Sequence, residues 1–210
     1  MLFRSARTFR RRGELRWALK TVREYEFAKV NSLYLAEPVR RLFERHTPEL
    51  FQLGFNLLGD FRMKSKPVEV HDRIFLSADG ETLATICAVL ERGSTSLISL
   101  LSNGICVHTS GAKNPKPERT VEPQDQLCIN YLPGVSLEQQ FREHQNTLRE
   151  QCAIHGASVI RQHAGQFRDV LVYDQRIFNR WRFRPGDLPA QPPAPDFGTI
   201  MSAELATANA

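Results

Sequence analysis

Residues 68–109 read VEVHDRIFLSADGETLATICAVLERGSTSLISLLSNGICVHT, and how this stretch is parsed decides the fold. Val68, Val70, Asp72, Ile74 and Leu76 fall on one side of an extended chain, and the apolar runs that follow are separated by glycine-bearing dipeptides. Asn103-Gly104, between Ile98-Ser99-Leu100-Leu101 and Ile105-Cys106-Val107, can supply the positive φ angles that a two-residue hairpin demands. Asp79-Gly80 makes the same case upstream, and Arg92-Gly93 rests on glycine alone.

With two residues in each loop, counting outward from the turns fixes the register, and directly opposed residues share a face. One face then holds Ile74, Leu76, Leu83, Thr85, Cys87, Val89, Ile98, Leu100, Ile105 and Val107, apolar enough to be the main core. The other holds His71, Arg73, Phe75, Ala84, Ile86, Ala88, Leu97, Ser99, Leu101, Cys106 and His108. That mixed face is expected to be partly covered, or covered by elements carrying polar groups. The count also lines up Arg73, Ile86, Ser99 and His108 across the sheet, and one extra residue in any turn would break that row.

Upstream, Leu15, Ala18, Val22, Tyr25 and Ala28 recur at helical spacing, and Pro38 is expected to end that helix and open a short second one over Val39 to Arg45. Phe51, Leu53 and Phe55 begin an alternation that Leu57-Leu58-Gly59 interrupts, which reads as a first strand with a bulge at Leu58-Gly59. After Thr109, Gly111, Pro115, Pro117 and Pro123 mark a long connection, and Leu127, Ile129 and Tyr131 suit a short strand returning to the sheet. Ser136-Leu137-Glu138-Gln139 is a capping box opening a helix with Phe141, His144, Leu148, Gln151 and Cys152 on its face, closed by Gly156. Val159-Ile160 reads as a brief strand, and Phe167, Val170, Leu171, Asp174, Ile177, Phe178 and Trp181 form the stripe of a core-packing helix.

The expected fold is therefore α+β: an antiparallel meander of about five strands, N-terminal helices, and two C-terminal helices packed on one face. Residues 1–13 form a basic disordered arm, 14–184 a single domain, and 185–210 a Pro- and Ala-rich disordered tail. The chain of 210 residues is long enough to bury a core without staples. Its cysteines, Cys87, Cys106, Cys128 and Cys152, show no C-x-x-C spacing and read as buried thiols.

Charge is unevenly spread. Arg4, Arg7, Arg10, Arg11, Arg12, Arg16, Lys20 and Arg23 face only Glu14 before residue 24, whereas the rest of the chain has twenty basic and twenty-two acidic residues. Such an arm suits an acidic surface, either an anionic membrane or nucleic acid, with Arg4, Arg7, Arg10, Arg11, Arg12 and Arg16 as the contacts. No apolar run approaches the ~20 residues that span a bilayer, and Met1-Leu2-Phe3 is followed by arginines in place of a signal-peptide core. The expectation is a cytoplasmic bacterial protein, peripheral on a membrane if the arm binds lipid; residues 1–23 as a mitochondrial transit peptide are the alternative.

Patterns for phosphate cradles and nucleophile elbows are absent, and none of the six histidines pair at i, i+4. No metal and no cofactor is expected. Ser99 and His108, with Arg73 and His71 beside them, are the candidates for an enzyme site, although a mid-strand serine lacks the exposed turn and oxyanion donors of an acyl-transfer nucleophile. No carboxylate is placed by the sequence to orient the histidine. Asp60 and Asp72 could pair as carboxylates, or be salt-bridged surface acids with Arg62 and Arg73 nearby.

The succession Leu57-Leu58-Gly59-Asp60, Ser77-Ala78-Asp79-Gly80 and Ser99-Leu100-Leu101-Ser102-Asn103-Gly104, followed by Thr109, resembles uncharacterised bacterial proteins of the kind common in planctomycetes. The resemblance covers the middle of the chain and implies no activity, cofactor or residue role. Three classes of function stay open: a binding or regulatory module acting through the arm, an enzyme using the mixed sheet face or the long loop, and an assembly subunit pairing through residues 14–36.

Overall fold

Alternating apolar residues do build one sheet, but of seven strands. A computed structural model describes residues 27–65, 68–89, 92–114 and 126–182. The expected arm, the helix from residue 14 to 26 and the tail lie outside the described residues, as do the side chains of Phe178 and Trp181. The strands are β1 (Phe27–Val30), β2 (Phe55–Ser65), β3 (Val68–Ser77), β4 (Leu83–Val89), β5 (Arg92–Leu100), β6 (Cys106–Ser110) and β7 (Leu127–Tyr131). They lie side by side in chain order; every pair is antiparallel except β6 and β7, which run parallel. The helices are α1 (Glu37–Gln52), α2 (Leu137–His155) and α3 (Phe167–Arg182).

Two local readings upstream are corrected. Phe27 to Val30 pairs with Asp60 to Met63 as an edge strand and not as the end of a helix, so sheet pairing overrides the helical spacing there. One helix, α1, then runs from Pro38 at its first turn past Pro48 to Gln52, because Val39, Phe43 and Leu50 form one continuous buried stripe. The expected break at Pro48 and the strand start at Phe51 both give way to that packing. The strand begins at Phe55, after Gly54 turns the chain at φ +82. The bulge expected at Leu58-Gly59 is present as a register shift between Leu57 and Gly59.

The three turns fare differently. Around Asp79-Gly80 the expected register holds, with Leu76 opposite Leu83 and Arg73 opposite Ile86. Gly93 lies inside β5 opposite Ala88, and Val89 pairs with Arg92, so that turn sits four residues from the expected register. An even slip leaves every side chain on its expected face. The third turn holds three residues: Leu101 N–H donates to Ile105 O, Gly104 alone takes positive φ at +84, and Ser99 opposes Val107. That odd slip turns β6 over, exchanging Cys106 and His108 with Val107 and Thr109.

Both faces of the sheet are covered, by different helices. On one, Phe61, Ile74, Leu83, Ile98, Leu100 and Cys106 pack against Phe167, Val170, Leu171, Tyr173 and Ile177 of α3. On the other, Phe55, Phe75, Ala84, Ile86, Ala88 and Leu97 lie under Val39, Phe43 and Leu50 of α1 and Leu137 of α2, and Leu101 and Val107 meet Leu148. The two C-terminal helices therefore sandwich the sheet and do not share a face. Ser136 caps α2 as expected, its Oγ accepting from Gln139 N–H at 3.2 Å, and Gly156 closes it in the left-handed region at φ +60. Ile160 N–H donates to Leu100 O, and Val159 bridges Leu101, so the brief strand expected at Val159-Ile160 is a single bridge.

Candidate functional site

Turning β6 over separates the two residues that were to form a site. Ser99 points to the α2 face, whereas His108, opposite Ile98, points to the α3 face. Each is instead met by a polar residue from the helix above it, and neither helix residue could be paired with the sheet from its own spacing.

On the α2 face, Ser99 is fully buried and Ser99 Oγ donates to Glu81 O at 2.7 Å. The His144 imidazole lies between Ser99 Oγ at 3.0 Å from Nε2 and Thr109 Oγ1 at 3.0 Å from Nδ1. With the serine proton committed to Glu81, the arrangement that satisfies all partners has Nε2–H donating to Ser99 and Thr109 O–H donating to Nδ1. Thr82 Oγ1 completes the serine's set at 3.1 Å. His144 is fully buried, and burial first, then the nearby His108, lowers its pKa to about 3. A neutral imidazole whose Nε2 holds the proton cannot take one from Ser99, and no water reaches either group. The cluster is a polar key between α2 and the sheet, extended by Thr95 O–H donating to Gln140 Oε1 at 2.7 Å.

On the α3 face, His108 Nδ1 lies 2.9 Å from Asp174 Oδ1, and Cys106 Sγ donates to the same oxygen at 3.2 Å. A carboxylate does orient the histidine, contrary to expectation; it comes from the apolar stripe of α3, where it is fully buried with Oδ2 lacking a hydrogen-bond partner. Burial, reinforced by that carboxylate, pushes the Cys106 thiol well above its usual range, so it is held as an inert thiol. Tyr173 O–H donates to Gly104 O at 2.7 Å and ties α3 to the three-residue turn.

Arg73 and His71 share the α1 face of β3. Arg73 grips Asp60 with both ends of its fork, Nε to Oδ1 at 2.6 Å and Nη2 to Oδ2 at 2.8 Å, while Nη1 donates to Thr47 Oγ1 at 3.0 Å. Its guanidinium also lies 4.9 Å from the centre of the Phe43 ring. Asp60 is salt-bridged, but buried and not on the surface. It does not pair with Asp72, because Asp72 opposes Phe61 and so faces the other side of the sheet. Asp72 is buried there, and desolvation raises its pKa to about 6 against the lowering effect of its bond to Cys87. His71 Nε2 lies 3.3 Å from Glu69 Oε1, and His71 Nδ1 is buried without a hydrogen-bond partner.

The titratable groups expected to do chemistry are thus locked into packing. Spacing alone could have marked His144 and Asp174, since each is an ionisable residue set into an otherwise apolar helical stripe. What stays accessible is a hollow of about 220 Å³ where α1 crosses β4 and β5, rimmed by Arg41, Arg45 and Arg92. Arg4, Arg7, Arg10, Arg11, Arg12 and Arg16 lie outside the described residues. No group of three or more candidate metal ligands occurs among the described residues, and no helix among them is long and apolar enough to cross a membrane. No protein-family model matches the chain, and no curated protein or solved structure shows significant similarity to it.

Proposed function

We propose that the protein is a non-enzymatic module that docks on anionic membrane surfaces through its arginine-rich N-terminal segment. The observation that carries this reading is the charge split, with eight basic residues against Glu14 alone before residue 24 and a nearly balanced remainder. Lipid is preferred over nucleic acid because Leu15, Trp17 and Leu19 stand among the basic residues, and because Leu33 and Tyr34 are 74% and 88% exposed just ahead of α1. The burial of Ser99 and the separation of His108 from it speak for binding over catalysis on the mixed sheet face.

The same exposed Leu33 and Tyr34 support a second reading, a protein partner held through residues 14–36. Vesicle sedimentation decides between them. Intact protein is expected to bind phosphatidylglycerol-containing vesicles with a blue shift of Trp17 emission, and to bind pure phosphatidylcholine weakly. Replacing Arg4, Arg7, Arg10, Arg11, Arg12 and Arg16 with Gln removes about 1 kcal/mol of attraction per residue near the surface, enough to abolish sedimentation. Absence of vesicle binding at low salt would overturn the reading; tight DNA binding with a steep salt slope in its place would point to nucleic acid.

A further inference from the structure

We infer that the arginine-rimmed hollow between α1 and the start of β5 is a binding site for a phosphate group. It is built by a close approach of helix to sheet. A Cβ on Gly93 would overlap the Leu42 side chain, so only glycine lets α1 come down onto β5 at this point. That descent brings Arg41 and Arg45, one helical turn apart, to one rim, and Arg92 at the first position of β5 to the other. Ala88, 2% exposed, makes the floor with Leu42 and Pro38 beside it.

The charges there are not balanced from within. Arg41 is paired with Glu37, an exposed contact that exchanges readily with water. Arg45 and Arg92 have no acidic partner among the described residues. Glu44 faces Arg40 at 3.8 Å, and Glu69 is shared by Arg62 at 3.5 Å and His71 at 3.3 Å. Three guanidiniums therefore converge on a small hollow with an apolar floor, an arrangement that gains from an anion and from little else.

The strand register adds a second, independent observation. Ala28, Arg62, His71, Ala88 and Gly93 form one row across this face of the sheet. Within that row, beside the floor residue Ala88, Arg62 Nε and His71 Nδ1 are buried with no hydrogen-bond partner. Donor capacity is left over next to the hollow as well as on its rim. A carboxylate occupies one guanidinium fork, whereas a tetrahedral phosphate offers oxygens to forks arriving from several sides, so the geometry favours phosphate. The group could be carried by a soluble phosphomonoester or by a lipid headgroup such as phosphatidic acid.

Calorimetric titration of the full chain, at ionic strength held constant with sodium chloride, tests the site with inorganic phosphate, glycerol 3-phosphate and vesicles carrying phosphatidic acid. Saturable binding is expected, with the Arg45→Gln/Arg92→Gln double variant losing at least about tenfold in affinity while its unliganded Tm stays at the wild-type value. Binding of soluble probes assigns a soluble source; binding of the vesicles alone, lost in the same variant, assigns a lipid. A variant with Arg10→Gln, Arg11→Gln and Arg12→Gln is expected to keep phosphate binding even if it no longer sediments with phosphatidylglycerol, which separates this site from the arm. No saturable binding of any probe, or undiminished binding by the double variant, would overturn the inference.

Discussion

Acidification sets two buried groups against each other. His144 has its pKa lowered from 6.5 to about 3, so the unfolded chain takes up a proton below pH 6.5 that the native chain refuses. The stability it contributes is complete above pH 6.5 and is lost as the pH falls towards 3. Asp72 has its pKa raised from 3.8 to about 6, so the native chain takes up a proton first, and the stability it contributes is complete below pH 3.8 and lost as the pH rises through 6. At about 1.4 kcal/mol per unit, bringing the pH from 7 to 4 removes about 3 kcal/mol through His144 and returns about 2 to 3 kcal/mol through Asp72. These two contributions leave a net change within about 1 kcal/mol. Urea unfolding at pH 7, 6, 5 and 4 exposes the cancellation when one group is removed. Asp72→Asn is expected to lose about 3 kcal/mol more than at neutral pH when brought to pH 4, and His144→Gln to gain a similar amount relative to its own neutral-pH value. Parallel pH profiles for wild type and both variants would refute the reasoning, whatever their absolute stabilities.

Two further substitutions probe the packing. Arg73→Met leaves the buried Asp60 carboxylate without its bidentate partner and is expected to cost about 3–5 kcal/mol in urea unfolding, with much of the loss recovered by adding Asp60→Leu. Gly104→Val forces a branched side chain to φ +84 and is expected to cost about 1–3 kcal/mol. Asn103→Ala loses only the exposed acceptor of Ile105 N–H at 3.2 Å and should cost less than about 1 kcal/mol. Equal losses at the two turn positions would mean that Asn103 shares the positive φ after all.

Fold class, the bulge in β2, the cap of α2 and the register around Asp79-Gly80 were legible because each follows from residues close in sequence. Turn length was not. Gly93 was mistaken for a turn residue because glycine also serves where a helix must touch the backbone, and only the position of Leu42 reveals that use. At Asn103-Gly104 the same dipeptide fits a loop of two or three residues, and the choice between them decides which helix His108 meets. The buried clusters needed long-range partners: Ser99 and His144, like His108 and Asp174, are brought together by helices docking on opposite faces. Asp60 was recognised as half of a salt bridge, but its burial depends on α1 lying over Arg73 and Thr47. The basic arm falls outside the described residues, so its role rests on composition.

The three-residue turn before β6 also bears on how this chain could vary over time. A strand has only two phases, and every residue beyond a turn inherits its phase from the loop's count. Losing or gaining one residue between Leu101 and Ile105 would offer Val107 and Thr109 to Asp174, and Cys106 and His108 to His144, with no letter of the strand altered. Individual letters in that loop can drift at small cost, but its length is tied to the alternation of the whole downstream strand. Among chains descended from a common ancestor with this architecture, the inherited quantity at that corner is therefore a number of residues before it is any particular sequence.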